Sequence, residues 1–245
     1  RTKPNINNNS AVKHTKNLKK KKKICYHNNW IEKDLVIFYK GRFNEVNVNF
    51  LTDEELSSIR EKEFSGKGLE LVRDMFVFSC YTGLAYIDIF NLTKDQLSKG
   101  IDGNLWIITN RQKTGSTSNI PLLPVAEEII KKYENHPVSS NSGKLLPVYT
   151  NQKVNEYLKT IAENCGINKK LTFHCARHTF ATTVTLGNNV SMESVSKMLG
   201  HKSIKTTQHY AKILDSKVSQ DMGSLKLVLE KKNEVQKEND KKLGS

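Results

Sequence analysis

The sequence predicts a mainly α-helical fold with a small antiparallel β-sheet, and three observations carry that prediction. Apolar residues return at helical spacing in several segments, among them Leu69, Val72, Met75 and Phe76, and later Val154, Tyr157, Leu158 and Ile161. Helix-start chemistry is visible too. Thr52-Asp53-Glu54-Glu55 reads as a capping box, in which Thr52 and Glu55 each satisfy a backbone N–H of the other. Against that rhythm, Asn104 to Asn110 (NLWIITN) is β-branched and aromatic, and Asn119 to Leu122 is its partner strand across a turn at Thr114-Gly115.

Residues 1–23 hold nine Lys or Arg and no acidic residue. A weak helical pattern runs from Ala11 to His27 through Val12, Leu18, Ile24 and Cys25, with Lys19, Lys20, Lys21, Lys22 and Lys23 on its outer face. A block of like charge is ordinarily a solvated face; here it is also suited to lie along DNA phosphates. NNWIEKDLVIFYKGRFNEV follows as a turn, a short apolar segment and a basic linker to Val48. The main domain opens at Leu51, and a second helix from Gly68 to Cys80 turns Leu69, Val72, Met75, Phe76 and Ser79 inward. After the hairpin, Pro124 fits the first turn of a helix over Val125 to Tyr133. HPVSSNSGKLLP reads as a loop, and Asn151 to Cys165 as a further helix. Beyond Tyr210, Ile213, Leu214, Val218, Met222, Leu225 and Leu229 continue a helical pattern, and NEVQKENDKKLGS closes the chain as a charged tail.

The 245 residues carry a formal net charge of +14, and the pI is about 9.5. Such a surplus points to a polyanionic partner, nucleic acid first. Cys25, Cys80, Cys165 and Cys175 show no C-x-x-C spacing, so neither a zinc site nor a disulfide framework is expected. No apolar run approaches ~18 residues, and no signal peptide is visible. The expectation is a soluble cytoplasmic protein, held at the nucleoid and away from membranes.

Chemistry concentrates in Leu171 to Tyr210, LTFHCARHTFATTVTLGNNVSMESVSKMLGHKSIKTTQHY. His174 and Arg177 are three residues apart and share one face of a helix. His201 follows Leu199-Gly200, where a glycine can end a helix in the left-handed conformation. Ser203 reads as an N-cap of the next helix, which delivers Tyr210. A cation, two imidazoles and a phenol suit phosphodiester chemistry. Arg forks onto phosphate oxygens, His donates hydrogen bonds or protons, and Tyr can form a covalent intermediate.

HCARHTFAT followed by LGHKSIKTTQHY resembles the C-terminal signature of the tyrosine recombinase, or phage integrase, family. The family pattern is H-x-x-R, then L-G-H, then a nucleophilic tyrosine nine residues after that histidine, which is the offset of Tyr210 from His201. TGLAYIDIFNLT resembles the family's first arginine motif, T-G-L-R-x-x-(E/D), with Asp88 at the acidic position and Ala85 where the arginine belongs. Lys113 matches the hairpin lysine that in the family reaches the scissile site. The likeness is nearest to the integrases of bacterial conjugative transposons and related mobile elements.

The resemblance implies a catalytic domain that breaks and rejoins DNA over residues 51–225. It implies a remnant of a helical core-binding domain plus linker over 1–50 and a charged tail over 226–245, so that the chain reads as a piece lacking most of that first domain. The implied activity is site-specific recombination that integrates or excises a mobile element, with neither metal nor nucleotide cofactor. Tyr210 would attack the scissile phosphate, leaving a 3′-phosphotyrosine link and a free 5′-hydroxyl. Arg177, His174 and His201 would stabilise the charge building on the phosphoryl oxygens, and Lys113 would protonate the leaving oxygen.

Double-stranded DNA, accessory DNA-bending proteins and a homotetramer formed through the C-terminal helix are the implied partners; a terminal amphipathic helix that simply packs in cis is the equal alternative. Two alternatives stay open. One is strand relaxation in the manner of a type IB topoisomerase; the other is a catalytically silent DNA-binding protein, because Ala85 removes a key arginine. For a catalyst, another cation must stand in. Arg111 is the first candidate, since it lies two residues before Lys113 and, read on the same strand, shares its face. Arg73, on the helix before TGLAYIDI, is the second.

Overall fold

In the computed structural model of the chain, residues 7–31, 40–44, 48–211, 219, 222, 223, 225, 226 and 229 are described. Residues 1–47 and 48–245 make up separate units. In the first, helix α1 (Asn8–His27) begins three residues before the expected start, because Asn7 caps it by accepting from the Asn9 N–H. Asn9 also pairs with Asn44 through two hydrogen bonds, and Lys16 Nζ lies 4.1 Å from the centre of the Phe43 ring. Val12 is buried, whereas Leu18 and Ile24 are exposed along with most of the lysine run. Most of the apolar segment expected after Trp30 lies outside the described residues, as do most of the helical pattern expected past Ala211 and the charged tail.

Near the start of the second unit, Leu51 is fully buried and satisfies its backbone on side chains. Its N–H donates to Thr179 Oγ1 at 3.0 Å, and its carbonyl accepts from Thr183 Oγ1. The expected capping box starts α2 (Asp53–Glu61), with Thr52 and Glu55 bonded reciprocally. Next comes α3 (Lys67–Thr82), buried on nearly every side, with Val72, Met75, Phe76, Val77, Phe78 and Cys80 in the core. A helix apolar all round belongs in an interior. Gly83 ends α3 in the left-handed conformation, and α4 (Tyr86–Asn91) follows within the TGLAYIDI motif.

Strands β1 (Leu97–Lys99), β2 (Leu105–Asn110) and β3 (Thr117–Pro121) form one antiparallel sheet in that order. The hairpin is as expected, with β3 starting two residues earlier than the apolar run alone marked. Ile107 pairs with Ile120 and Thr109 with Ser118, all four buried on one face. β1 is too short to show a period in the sequence.

Helix α5 (Pro124–Tyr133) carries Pro124 at its start, as expected. HPVSSNSGKLLP, expected as a loop, instead contains α6 (Pro137–Ser142), capped by the His136 side chain and closed by left-handed Gly143. Serine and asparagine offer no apolar period, so its end-caps rather than its core make this helix. Helix α7 (Asn151–Asn164) buries Val154, Leu158 and Ile161. Helices α2, α5 and α7 pack on α3, and so does α8 (Phe173–Thr179).

From α8 the chain runs into a π-helical segment over Phe180–Thr185 and a 3₁₀ turn over Leu186–Asn188. Thr185 Oγ1 donates to the Phe180 carbonyl at 2.7 Å, which holds the widened turn. Helices α9 (Met192–Met198) and α10 (Lys205–Ala211) then pack against this segment and each other, around Phe180, Leu186, Val195, Leu199 and Tyr210.

Candidate active site

Arg177 is 5% exposed and reaches from α8 across to two loop carbonyls. Its Nη1 donates to Gly83 O at 2.6 Å, its Nη2 to Leu199 O at 2.6 Å, and Nη2 lies 3.1 Å from His201 Nε2. The Gly83 hydrogen bond ties the end of α3 to α8. Gly83 has φ +69°, and a Cβ there would lie 2.5 Å from the Phe180 ring, so both backbone and space require glycine.

Gly200 ends α9 as the sequence led one to expect, at φ +60°, and a Cβ there would meet Ser118 Oγ at 2.5 Å. The close approach brings the hairpin against Leu199-Gly200. Ser116 Oγ donates to Gly200 O at 2.6 Å, and Arg111 Nη1 donates to Leu199 O at 2.7 Å. Arg111 and Arg177 therefore meet at one carbonyl. Asp88, buried on α4, pairs with Arg111 Nε at 2.7 Å and accepts from the Gln112 N–H at 3.0 Å. Asp88 thus holds Arg111 and the turn.

Arg111 and Lys113 do not share a strand face, contrary to expectation. β2 ends at Asn110, so both residues stand in the turn: Arg111 is buried at Leu199, while Lys113 is exposed. Lys113 still lies near enough to His174 for its charge to depress that imidazole. Arg73, the second candidate for the missing cation, is engaged elsewhere. Its Nη1 donates to the Arg60 and Lys62 carbonyls, and its Nε pairs with Asp74 at 2.6 Å, all at the α2–α3 junction. None of these partners belongs to the Arg177 cluster.

Tyr210 arrives on α10 and is 7% exposed. Its Oη lies 3.2 Å from His178 Nδ1, a residue that the motif spacing did not single out. The signal was available: His178 is four residues after His174, one turn along the same helix. The two rings meet edge to face with centroids 4.3 Å apart. His201 lies nearly parallel to the Tyr210 ring at 6.4 Å, and its Nδ1 is 2.8 Å from Oγ1 of buried Thr207. Lys19 to Lys23 are in α1, in the other unit. Among the described residues no group of three or more His, Cys, Asp or Glu is gathered to hold a metal ion, and no helix is long and apolar enough to cross a membrane.

Burial, then the Arg111 charge, lowers Arg177 to about 10. Burial first, then His174 and Arg177, brings His178 to about 4; burial, Arg177 and Arg111 bring His201 to about 4. His174, exposed at the mouth of the site, is lowered by its partial burial and then by Arg177, Lys113 and Arg111. Burial raises the Tyr210 phenol although the two arginines pull the other way. The resting site is two cations, neutral imidazoles and a protonated phenol.

A family model described as the phage integrase family matches residues 49–217. Tyrosine recombinase XerC of Rickettsia canadensis (strain McKiel) is 29% identical over 170 residues, covering 65% of this chain and 50% of that protein. The chain spans about half the length of the curated relatives it matches. Among solved structures, a lambda integrase dimer bound to a COC′ core site aligns with TM-score 0.65 and 19% identity, over 83% of this chain and 73% of that one. The Tn1549 transposon integrase in complex with a circular intermediate DNA aligns with TM-score 0.62 and 17% identity, over 82% and 74%. Both share the fold.

The pH dependence of stability follows from the two rings. An unfolded histidine takes up its proton near the ordinary 6.5, whereas folded His178 and His201 resist until about 4. Stability held by the neutral rings is therefore complete above pH 6.5 and is lost as the pH falls toward 4. The melting temperature should drop across that window, and His201→Gln should make the drop shallower. A slope unaltered by the substitution would contradict a neutral, buried imidazole.

Proposed function

The chain belongs to the phage integrase family, and from that premise we propose that it is a site-specific DNA recombinase using Tyr210 as nucleophile. The observation that carries this reading is the meeting of Arg177 and Arg111 at the Leu199 carbonyl, beside a buried phenol. Each guanidinium has five N–H groups, of which these hydrogen bonds use only some, so both retain donors for phosphate oxygens. Tyr210 Oη attacks the scissile phosphorus, forming a 3′-phosphotyrosine bond as the bond to the 5′-oxygen breaks. Arg177, Arg111 and His174 stabilise the charge on the non-bridging oxygens, and His201, whose Nε2 faces Arg177 Nη2, orients that guanidinium. Lys113, exposed on the turn, supplies a proton to the leaving 5′-oxygen. A 5′-hydroxyl from a partner duplex then reverses the attack and reseals the strand.

In this reading Arg111 stands in for the arginine absent at Ala85, with Asp88 as its anchor. The substrate is double-stranded DNA, held in part by Lys19 to Lys23 of α1, and the outcome is movement of a mobile element. Likeness to the Tn1549 transposon integrase supports that outcome. Assembly into a homotetramer would use apolar surface past Tyr210, where Met222, Leu225 and Leu229 are 60%, 47% and 50% exposed. Ala85 favours a second reading, a silent DNA-binding protein, and covalent chemistry separates the two.

The deciding experiment traps a covalent protein–DNA adduct on a nicked suicide duplex carrying the element's own end sequence. The parent chain should form it and Tyr210→Phe should not, while still binding the duplex. An adduct from Tyr210→Phe would sink the assignment; none from the parent would favour the silent reading.

For the second cation, Arg111→Ala should slow adduct formation by about 10²–10³, the usual cost of removing one donor to a developing oxyanion. Ala85→Arg in that background should recover part of the rate. Cleavage by Arg111→Ala at the parent rate would reject the substitution.

Neutralising Lys19 to Lys23 should weaken binding to all duplexes. It should also flatten the plot of log affinity against log salt by about 0.9 for each phosphate that those lysines no longer neutralise. An unchanged slope would put α1 away from the DNA backbone.

A further inference from the structure

A nucleophilic tyrosine must lose its proton as it attacks, and the resting phenol holds that proton firmly because burial raises it. Three imidazoles stand near enough to be considered. His201 is excluded by its own hydrogen bonds. Arg177 Nη2, 3.1 Å from His201 Nε2, can only donate, so Nε2 must present its lone pair there. Nδ1 of the neutral ring then carries the hydrogen and donates it to Thr207 Oγ1 at 2.8 Å. No lone pair of His201 is left for the phenol. His174 is exposed and its ring packs against His178, which stands between it and the phenol as the hydrogen-bonding partner of Oη among the described residues.

His178 is differently placed. Among the described residues its Nδ1, at 3.2 Å, is the only hydrogen-bonding partner of Tyr210 Oη. A neutral ring with its hydrogen on Nε2 presents a bare Nδ1 to the hydroxyl, which donates. We propose that His178 is the general base of strand cleavage, its Nδ1 accepting the Tyr210 proton as Oη bonds to phosphorus. The proposal rests on the reading of Tyr210 as nucleophile.

The step balances. The Oη–H bond breaks and its proton passes to Nδ1, giving an imidazolium. The Oη–P bond forms, the P–O5′ bond breaks, and its electron pair leaves on O5′, which takes a proton from Lys113. In resealing, a 5′-hydroxyl gives its proton back to the neutral Lys113 amine as it attacks phosphorus, and Oη leaves with the bonding pair. His178 then returns the proton. The imidazolium would be costly beside Arg177 and His174 alone, but the scissile phosphate brings negative charge to the same place at that moment.

The test measures single-turnover adduct formation by the full chain on the nicked duplex. His178→Ala should be slower by about 10²–10⁴, the usual worth of a positioned base, with duplex binding unchanged. Free imidazole should restore part of the rate, and across substituted imidazoles the restored rate should rise with their basicity. His178→Phe keeps a ring against His174 but has no nitrogen; it should be equally slow and, with the space filled, deaf to added imidazole. Parent-rate cleavage by His178→Phe overturns the proposal. So does a slow His178→Ala that ignores every imidazole, which marks a packing role. Failure of the parent chain itself to form an adduct is a separate result and overturns the nucleophile reading beneath it.

Discussion

Two side chains that would repel one another in water are held together at a single backbone oxygen, the carbonyl of Leu199. That oxygen lies at the C-terminal end of α9, where carbonyls lack intrahelical partners and carry the negative end of the peptide dipoles. The chain can leave the helix there only because Gly200 takes a left-handed conformation and leaves room for Ser118 and the Arg111 stem. From this one acceptor, Arg177 reaches on to Gly83 at the end of α3, and Arg111 reaches on to Asp88 in α4. Four separated stretches of sequence are joined through it.

The electrostatic state of the site follows from the same meeting. Burial makes the Arg177 guanidinium costlier to charge, and the nearby Arg111 adds to that; Asp88 pairs directly with Arg111. Burial first, and then the surplus of positive charge, keeps the neighbouring imidazoles neutral, which leaves His178 able to accept a proton. The same surplus draws on the phenol, though not enough to overcome burial. A phosphate entering here would relieve the repulsion that the resting protein tolerates, and charge-assisted bonds to it are strong when both partners are shielded from water.

Much of the helical framework was legible because its signals are local. The capping box at Thr52, the apolar run of α3, the Pro124 start and the glycine break at Gly200 each act over a few residues. What escaped were elements made by tertiary context. α6 has end-caps but no apolar period, and β1 is three residues long and exists as a strand through its pairing with β2. His178 was passed over for a related reason. Its helical spacing from His174 was plain, but the hydroxyl that gives it a task arrives from α10, 32 residues later.

By itself, then, the sequence determined which residue types line up within an element: His174 with Arg177 on one helix, His201 after a glycine break, Tyr210 on the helix that follows. Those relations depend on backbone geometry over a turn or two, which the residues themselves dictate. The choice between Arg111 and Arg73 was beyond it, since both are basic residues beside the right motifs. Only the folded chain shows where each lies, Arg73 on the α2–α3 junction and Arg111 at the Leu199 carbonyl beside Arg177. Which element faces which is set by how the core packs around α3, and that is a property of all the apolar side chains together.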